Sequence, residues 1–352
     1  MGKLSVTDFR GALIGCGFFA ENHLNAWAGI EGANLVAVCD LDGGRAKAAA
    51  QKFGVPEWFN NADAMLKAVS PDFVDIVTAP PTHLAVTQAA VAPGRVVICQ
   101  KPMAETQADA LAMVRAAEDA GATLVIHENF RWQRGLIEMK SLIDEGAIGD
   151  PHFSHIRFRH GFDVYANQPY LAQVSRLALM DVGVHVYDIA RFLLGDVTSV
   201  DCATQRLNKD VKGEDAFSSL LRHDNGGVSL VDVGFYTVET PDPFPETLVR
   251  VEGPEGTLDL QKGYRLTLTR RYGTREIDVE PDVPRWGEKP WHGVQDSVIH
   301  FQRHVVEVLA GRAAPQPSGA DNLKTLALAL ASYTSAETGA PVAMAGYDEA
   351  RR

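Results

Sequence analysis

Hydrophobic residues in the first third of the chain lie in short, nearly continuous runs that alternate with alanine-rich segments. The runs are GALIG, NLVAVCD, DFVDIVTA, RVVICQ and TLVIHE. Such runs are typical of parallel strands with both faces covered, and segments such as AKAAAQKFG and ALAMVRAAEDAG are long enough to form the covering helices. The pattern therefore predicts βαβ units and a doubly wound α/β domain over residues 1–129.

The rhythm changes beyond residue 130. An amphipathic helix carries Leu136, Met139 and Ile143 on one stripe. Alternating segments then predict strands, namely HFSHIRFRH, GGVSLVDVGFYTV, TLVRVEG, GTLDLQKG and YRLTLTRRYG. Helical patterns lie near 180–194, at 294–311 and at 319–338. We expect an α+β domain with a large, mostly antiparallel sheet over residues 130–352, whose C-terminal helix could also pack back on the first domain.

Composition narrows the class of protein. The 352 residues are 46% hydrophobic and 22% charged, which is typical of a folded chain of about two domains. A formal net charge of −12 without a basic stripe disfavours nucleic acid as a partner. The segment MGKLSVTDFR has no apolar core, no apolar stretch could span a bilayer, and the four cysteines lack metal-ligand spacing. We expect a cytoplasmic protein with no membrane partner, reduced cysteines and no metal site.

A glycine-rich turn follows the first predicted strand. The run GCGFFA has the pattern GxGxxA, and the second strand ends at Asp40. The first glycine permits a tight turn, the second lets the backbone approach a pyrophosphate, and the next helix directs its amino terminus at the anion. An acidic residue after the second strand binds ribose hydroxyls and repels a 2′-phosphate. The pattern predicts a Rossmann fold that binds NAD, with a glycine turn that binds no nucleotide as the alternative. The predicted NAD-binding residues are Gly15, Gly17, Phe18, Phe19 and Asp40.

Two further loops should border the same cleft, because ligands of an open parallel sheet bind beyond the carboxyl ends of its strands. The third strand leads into TAPPTH at 78–83, and the fourth ends in QKP at 100–102. A lysine at a strand end can direct its ammonium at a substrate hydroxyl and favour alkoxide character during hydride loss. Lys101 is therefore a catalytic candidate, although an ordinary solvated lysine explains this loop equally well.

A third polar set begins a predicted helix. In DVGVHVYD, a rotation of ~100° per residue places Asp181, His185 and Asp188 within about 40° of one another. Imidazole transfers protons near neutral pH, and a neighbouring carboxylate can fix its tautomer and raise its basicity. The run predicts a proton-transfer site, with a hydrogen-bonded core histidine as the alternative.

The order of these motifs is more specific than any one of them. GxGxxA, a strand-end Asp, TxPPxH, KP, NxR and DxGxHxxD occur in the succession seen in the glucose-fructose oxidoreductase, inositol dehydrogenase and rhizopine catabolism (Gfo/Idh/MocA) family. The chain resembles that family over nearly its whole length, including VRVEGPEGTLDL and NLKTLALALASYTSAETG.

The resemblance implies roles for individual residues. Lys101 matches the lysine of the family's EKP motif, whose Lys-Pro bond is often cis, so a cis peptide is expected at Pro102. Asp181 and His185 match the family's substrate-binding aspartate and catalytic histidine. The positions that match motifs around the nicotinamide and the cleft are Thr78, Pro80, His83, Asn129 and Arg131.

Two features depart from the family pattern. Gln100 replaces the Glu of EKP, which removes the charge but could preserve hydrogen bonding to the cofactor. The residues LALM at 177–180 replace a glycine-rich run, which changes one wall of the substrate pocket. The identity of the substrate therefore cannot be copied from the best-known members.

The resemblance implies an NAD-dependent sugar dehydrogenase that oxidises the anomeric carbon of an aldose to a lactone. The substrate carbon is expected between the nicotinamide and Lys101, His185 and Asp181. D-apiose is a candidate, because VVICQKP and HENFRWQ are similar to segments of bacterial members that oxidise it. Polar residues chosen by location to bind other hydroxyls are Arg131, His160, Asp163, Gln168 and Arg176. An inositol or other polyol dehydrogenase, a non-catalytic NAD-binding sensor and an NAD-assisted glycosidase are the alternatives. A homodimer or homotetramer is expected, because the family's second-domain sheet commonly offers one face to a neighbour.

Overall fold

The chain forms two compact units in a computed structural model that describes residues 8–349. The first unit extends to Glu128 and also includes Val298–Leu323, whereas the second comprises Asn129–Ser297 and the residues from Lys324 onward. The sequence pattern placed 298–323 with the second domain. A helical pattern shows that one face is apolar but does not show which core that face enters.

The first unit contains a six-stranded parallel sheet of order β3-β2-β1-β4-β5-β6. Its strands are β1 (Phe9–Ile14), β2 (Ala33–Cys39), β3 (Glu57–Phe59), β4 (Phe73–Ile76), β5 (Val96–Gln100) and β6 (Thr123–His127). Its helices up to Glu128 are α1 (Ala20–Trp27), α2 (Gly43–Phe53), α3 (Ala62–Val69), α4 (His83–Ala90) and α5 (Gln107–Ala120).

The predicted Rossmann sheet is confirmed. Strands β4 and β5 are buried along their whole length, which explains their nearly continuous apolar sequence. The prediction lacked β3, because this edge strand has three residues and is largely exposed. The order of strands reverses between β1 and β4, and ligands of doubly wound sheets bind at such a point.

The second unit contains a nine-stranded sheet of order β14-β13-β12-β11-β7-β10-β9-β8-β15. The strands are β7 (Phe153–Arg159), β8 (Val197–Gln205), β9 (Ala216–His223), β10 (Val228–Gly234), β11 (Leu248–Gly253), β12 (Gly256–Gln261), β13 (Arg265–Arg270), β14 (Gly273–Asp278) and β15 (Val342–Ala343). Strands β7 and β10 pair in parallel, and the other neighbours are antiparallel. The mostly antiparallel sheet is confirmed, although the prediction lacked β8, β9, β14 and β15.

Helix α6 (Arg134–Asp144) precedes this sheet, and α7 (Val184–Leu194) packs on β7 and β10. The later helices are α8 (His292–Leu309) and α9 (Gly319–Thr338), as the pattern predicted. Tyr187 of α7 is fully buried, and its hydroxyl lies 2.6 Å from Ser219 Oγ and 2.8 Å from Ser332 Oγ. These hydrogen bonds tie α7 to β9 and α9. None of the helices within residues 8–349 is long and apolar enough to cross a bilayer.

Candidate functional site

The glycine turn after β1 is shaped by two different requirements. Gly15 has a φ of +98°, and a Cβ there would lie 2.4 Å from the Val77 carbonyl oxygen, so the fold itself demands glycine. A Cβ at Gly17 would meet no atom within 4 Å. The chain therefore leaves open space at Gly17, which is the space that an approaching pyrophosphate needs.

Asp40 joins the end of β2 to this turn. Its Oδ2 accepts a hydrogen bond from the Cys16 N–H at 2.8 Å, and its Oδ1 accepts one from the Asp42 N–H at 2.9 Å. The first turn of α1 has no side-chain cap within the described residues, so its amides suit an anion. Phe18 beside it is 57% exposed, and Leu41 after Asp40 is 91% exposed. The glycine space, the helix terminus and the carboxylate together fit NAD.

The two predicted loops beyond β4 and β5 are held together by a buried histidine. The ring nitrogens of His83 lie 3.0 Å from the Thr78 carbonyl oxygen and 3.1 Å from that of Pro102. Burial lowers the pKa of His83. His83 therefore lies beneath the loops, whereas Thr78 and Pro80 are half-buried within the first of them.

Lys101 is half-buried at the start of the second loop, and the Lys101-Pro102 peptide is cis as predicted. Gln100, next to it, is buried in a cluster with His23 and His127. The structure thus places Lys101 at the carboxyl end of the sheet and Gln100 inside it.

In the second unit, the short 3-10 turn Asn129–Trp132 contacts α7. The Phe130 ring stacks on the His185 ring with centroids 3.9 Å apart and planes 2° from parallel. Arg131 donates two hydrogen bonds to the Asp188 carboxylate, at 2.6 Å from Nε and 2.5 Å from Nη2. This turn therefore holds His185 by stacking and the next turn of α7 by an ion pair. Asn129, predicted to bind the cofactor, donates to Ser297 Oγ at 2.8 Å.

Asp181 lies in a π-helical turn, Leu179–Gly183, directly before α7. The ideal α-helical rotation assumed for Asp181, His185 and Asp188 therefore applies only from Val184 onward. Glu214 accepts hydrogen bonds from the backbone N–H groups of Leu177 and Leu179 and from the Tyr333 hydroxyl. It thus anchors the chain just before Asp181.

The other predicted substrate residues occupy different environments of the second unit. His160 is buried among aromatic rings, 5.2 Å from the stacked Phe235 ring, and burial lowers its pKa to about 4. Asp163 is exposed and accepts hydrogen bonds from the Tyr165 and Ala166 N–H groups. Gln168 is partly buried and accepts a hydrogen bond from the Tyr170 hydroxyl. Arg176 is exposed and donates a hydrogen bond to Glu349.

Sequence reasoning missed several buried residues that contact or support the predicted site residues. They are Phe130, Glu214, His23, Asp75 and His127. One had a visible signal, because Asp75 interrupts an otherwise apolar strand and buried carboxylates are rare unless paired. The others carry no local pattern that separates them from ordinary core or surface residues.

Comparison with known proteins agrees with both units. Residues 9–128 match the model of an oxidoreductase family with an NAD-binding Rossmann fold, and residues 136–259 match the GFO/IDH/MocA C-terminal domain. A D-apiose dehydrogenase of Paraburkholderia graminis is 48% identical over 96% of this chain and 90% of its own length. A D-apiose dehydrogenase of Rhizobium rhizogenes is 44% identical over 96% and 98% of the two chains.

Solved structures show the same fold. The crystal structure of an oxidoreductase from Agrobacterium radiobacter in complex with NAD+, L-tartaric acid and magnesium is 44% identical, has a TM-score of 0.94 and covers 97% of this chain and 99% of its own. Levoglucosan dehydrogenase in complex with NADH and levoglucosan has a TM-score of 0.83 at 22% identity over 96% and 99% of the two chains. This chain therefore belongs to the Gfo/Idh/MocA family of oxidoreductases and carries that family's NAD-binding Rossmann domain.

Proposed function

We propose that this protein is an NAD-dependent sugar dehydrogenase that oxidises an aldose at its anomeric carbon, with D-apiose as the first candidate. The observation that carries this proposal is the 44–48% identity to two D-apiose dehydrogenases over nearly the whole chain. The candidate residues Lys101, Asp181 and His185 are all present, whereas a sensor that performs no turnover could dispense with them.

The proposed cofactor contacts come from the first unit. Gly15, Gly17 and the first turn of α1 bind the pyrophosphate, Asp40 accepts hydrogen bonds from ribose hydroxyls, and the loop that carries Thr78 and Pro80 borders the nicotinamide. NAD, when bound, supplies the hydride acceptor. Phe18 and Phe19 flank the glycine turn and shield the phosphates from water.

The proposed chemistry removes one hydride from carbon and one proton from the hydroxyl oxygen, which leaves a carbonyl. Oxidation at an anomeric carbon makes that product a lactone. His185 receives the proton, and its stacking on Phe130 restricts rotation of the ring. Lys101 donates a hydrogen bond to the same oxygen and stabilises its developing negative charge. Asp181 binds a substrate hydroxyl and orients the sugar.

Absorbance of NADH during incubation with NAD and a panel of aldoses, inositols and simple glycosides tests this proposal. A rate with one aldose, together with a lactone identified by mass spectrometry, supports it. The variants K101M and H185N should each lower kcat on that sugar by roughly 10²- to 10⁴-fold. The exposed Lys67 and His152 provide matched controls, and K67M and H152N should retain the parent rate.

Inositol oxidation is the second candidate. An inositol 2-dehydrogenase of Saccharopolyspora erythraea is 32% identical over 86% of this chain and 91% of its own length. Turnover of inositols alone would favour this candidate and move the oxidised carbon away from an anomeric centre. Release of an aglycone without net NADH would indicate a glycosidase, and tight NAD binding without any product would indicate a sensor.

A further inference from the structure

Gln100 occupies the position at which the family's EKP motif has glutamate, and its amide group is fully used. The side chain is 6% exposed at the end of β5. Its Oε1 accepts a hydrogen bond from the Lys101 backbone N–H at 3.0 Å. Its Nε2 lies 2.9 Å from His23 Nε2 and 3.2 Å from His127 Nδ1.

The Lys101 N–H determines which way this amide points. A backbone N–H can only donate, so the amide oxygen must face it and the amide nitrogen must face the two imidazoles. The NH₂ group then donates to His23 Nε2 and to His127 Nδ1, and both ring nitrogens accept. Each imidazole is thereby held without a proton on the nitrogen that faces Gln100.

His23 is fixed from its other side as well. Its Nδ1 lies 2.8 Å from Asp75 Oδ2, which also accepts a hydrogen bond from Trp27 Nε1 at 2.8 Å. His23, Asp75 and His127 are fully buried. A carboxylate can only accept at this position, so His23 donates to Asp75 and accepts from Gln100. The network is consistent with neutral histidines only if residue 100 is a donor.

A glutamate at position 100 would conflict with this arrangement. Its carboxylate cannot donate to His23 Nε2, so His23 would need a second proton and would lie between two carboxylates. Some titratable groups contact His23 or Gln100, and others are adjacent in the chain to Gln100 or His127. They are Asp75, Cys99, Lys101, His127 and Glu128. Burial raises the pKa of Cys99, which keeps that thiol neutral.

We propose that Gln100, His23 and His127 are positioning residues that fix the backbone at Lys101, and with it the direction of the Lys101 ammonium, through a network that needs no titration. This inference rests on the proposed catalytic role of Lys101. The network affects rate because the Gln100 amide oxygen binds the backbone of Lys101, the residue proposed to contact substrate. A misplacement of ~1 Å can cost about 100-fold in rate.

The variant Q100E of the full chain tests the proposal. At a pH of about 8 we expect kcat to fall by roughly 10- to 100-fold while the KM for NAD changes less than about threefold. Q100M, which removes the hydrogen bonds without adding charge, should also lower kcat. The control Q51E makes the same chemical change at an exposed position of α2 and should match the parent.

A spectroscopic measurement tests the same network without turnover. In protein labelled with ¹⁵N-histidine, the His23 Nε2 resonance, assigned with H23N, should be that of an unprotonated nitrogen in the parent and of a protonated nitrogen in Q100E. A protonated Nε2 in the parent overturns the proposal. Thermal unfolding of each variant distinguishes loss of rate from loss of the folded state.

The kinetic outcomes separate this inference from the proposed function. Parent-like kcat in Q100E, with K101M inactive, overturns the inference alone. A rise in the KM for NAD with unchanged kcat also overturns it, because Gln100 would then serve the cofactor. Parent-like turnover in K101M overturns both the role of Lys101 and the inference that depends on it.

Discussion

Removal of the Arg131 guanidinium should destabilise the second unit strongly. The Arg131 side chain is 6% exposed, the Asp188 side chain is 1% exposed, and two hydrogen bonds join them. In R131M, Asp188 becomes a buried carboxylate without its bidentate partner. Breaking a buried pair from one side typically costs about 3–5 kcal/mol, so we expect a loss of that size in the free energy of unfolding, measured by guanidinium denaturation.

Two further variants show whether the buried charge is the cause. R131M/D188L removes both charges and should regain most of the lost stability, because apolar replacement of both partners is often neutral. R312M breaks an ion pair between Arg312 and Glu307, whose side chains are 60% and 47% exposed, and should cost much less stability than R131M, because exposed ion pairs contribute little. The reasoning is refuted if R131M loses no more stability than R312M, or if the double variant is no more stable than R131M. Unchanged stability with a raised KM for sugar would instead support substrate binding by Arg131.

Three other predictions concern the glycine turn, Asp40 and the buried His160. G17A should weaken NAD affinity by at least about tenfold without changing the unfolding midpoint, whereas G15A should also lower stability by about 1–3 kcal/mol. Calorimetric titration measures the NAD affinity, and denaturation measures the stability. Equal NAD affinity in G17A and the parent would contradict pyrophosphate binding at Gly17. D40N should narrow the preference for NAD over NADP by roughly tenfold in kcat/KM, and an unaltered ratio would exclude Asp40 from ribose recognition. Burial lowers the pKa of His160 from 6.5 to about 4, so between these values the unfolded chain binds a proton that the folded chain does not; stability should be full above pH 6.5 and fall by up to ~3 kcal/mol as the pH drops toward 4. H160F should be less sensitive to acid than the parent over this range, and parallel stability curves would show that another group titrates.

Local features of the chain were sufficient for the strands β1, β2 and β4–β6, for several later elements and for the cofactor turn. The apolar runs predicted the parallel strands up to β6 except β3, because strands covered on both faces must be apolar throughout. The glycine pattern located the turn at Gly15 because its steric demand is local: a positive φ and the absence of a Cβ are properties of one residue. The family resemblance then supplied the cis bond at Pro102, which no periodicity reveals.

The partners of buried polar groups were decided by the tertiary structure. Arg131 and Asp188 are 57 positions apart in sequence, and His23 and Asp75 are 52 apart. A local sequence pattern therefore does not contain both members of either pair. Sequence reasoning could not show that Arg131 bonds to Asp188 or that Gln100 bonds to two buried histidines. A polar residue at a strand end or turn looks the same in sequence whether it faces a ligand or a buried neighbour. The distinction depends on which strands and helices lie beside it, and therefore on topology.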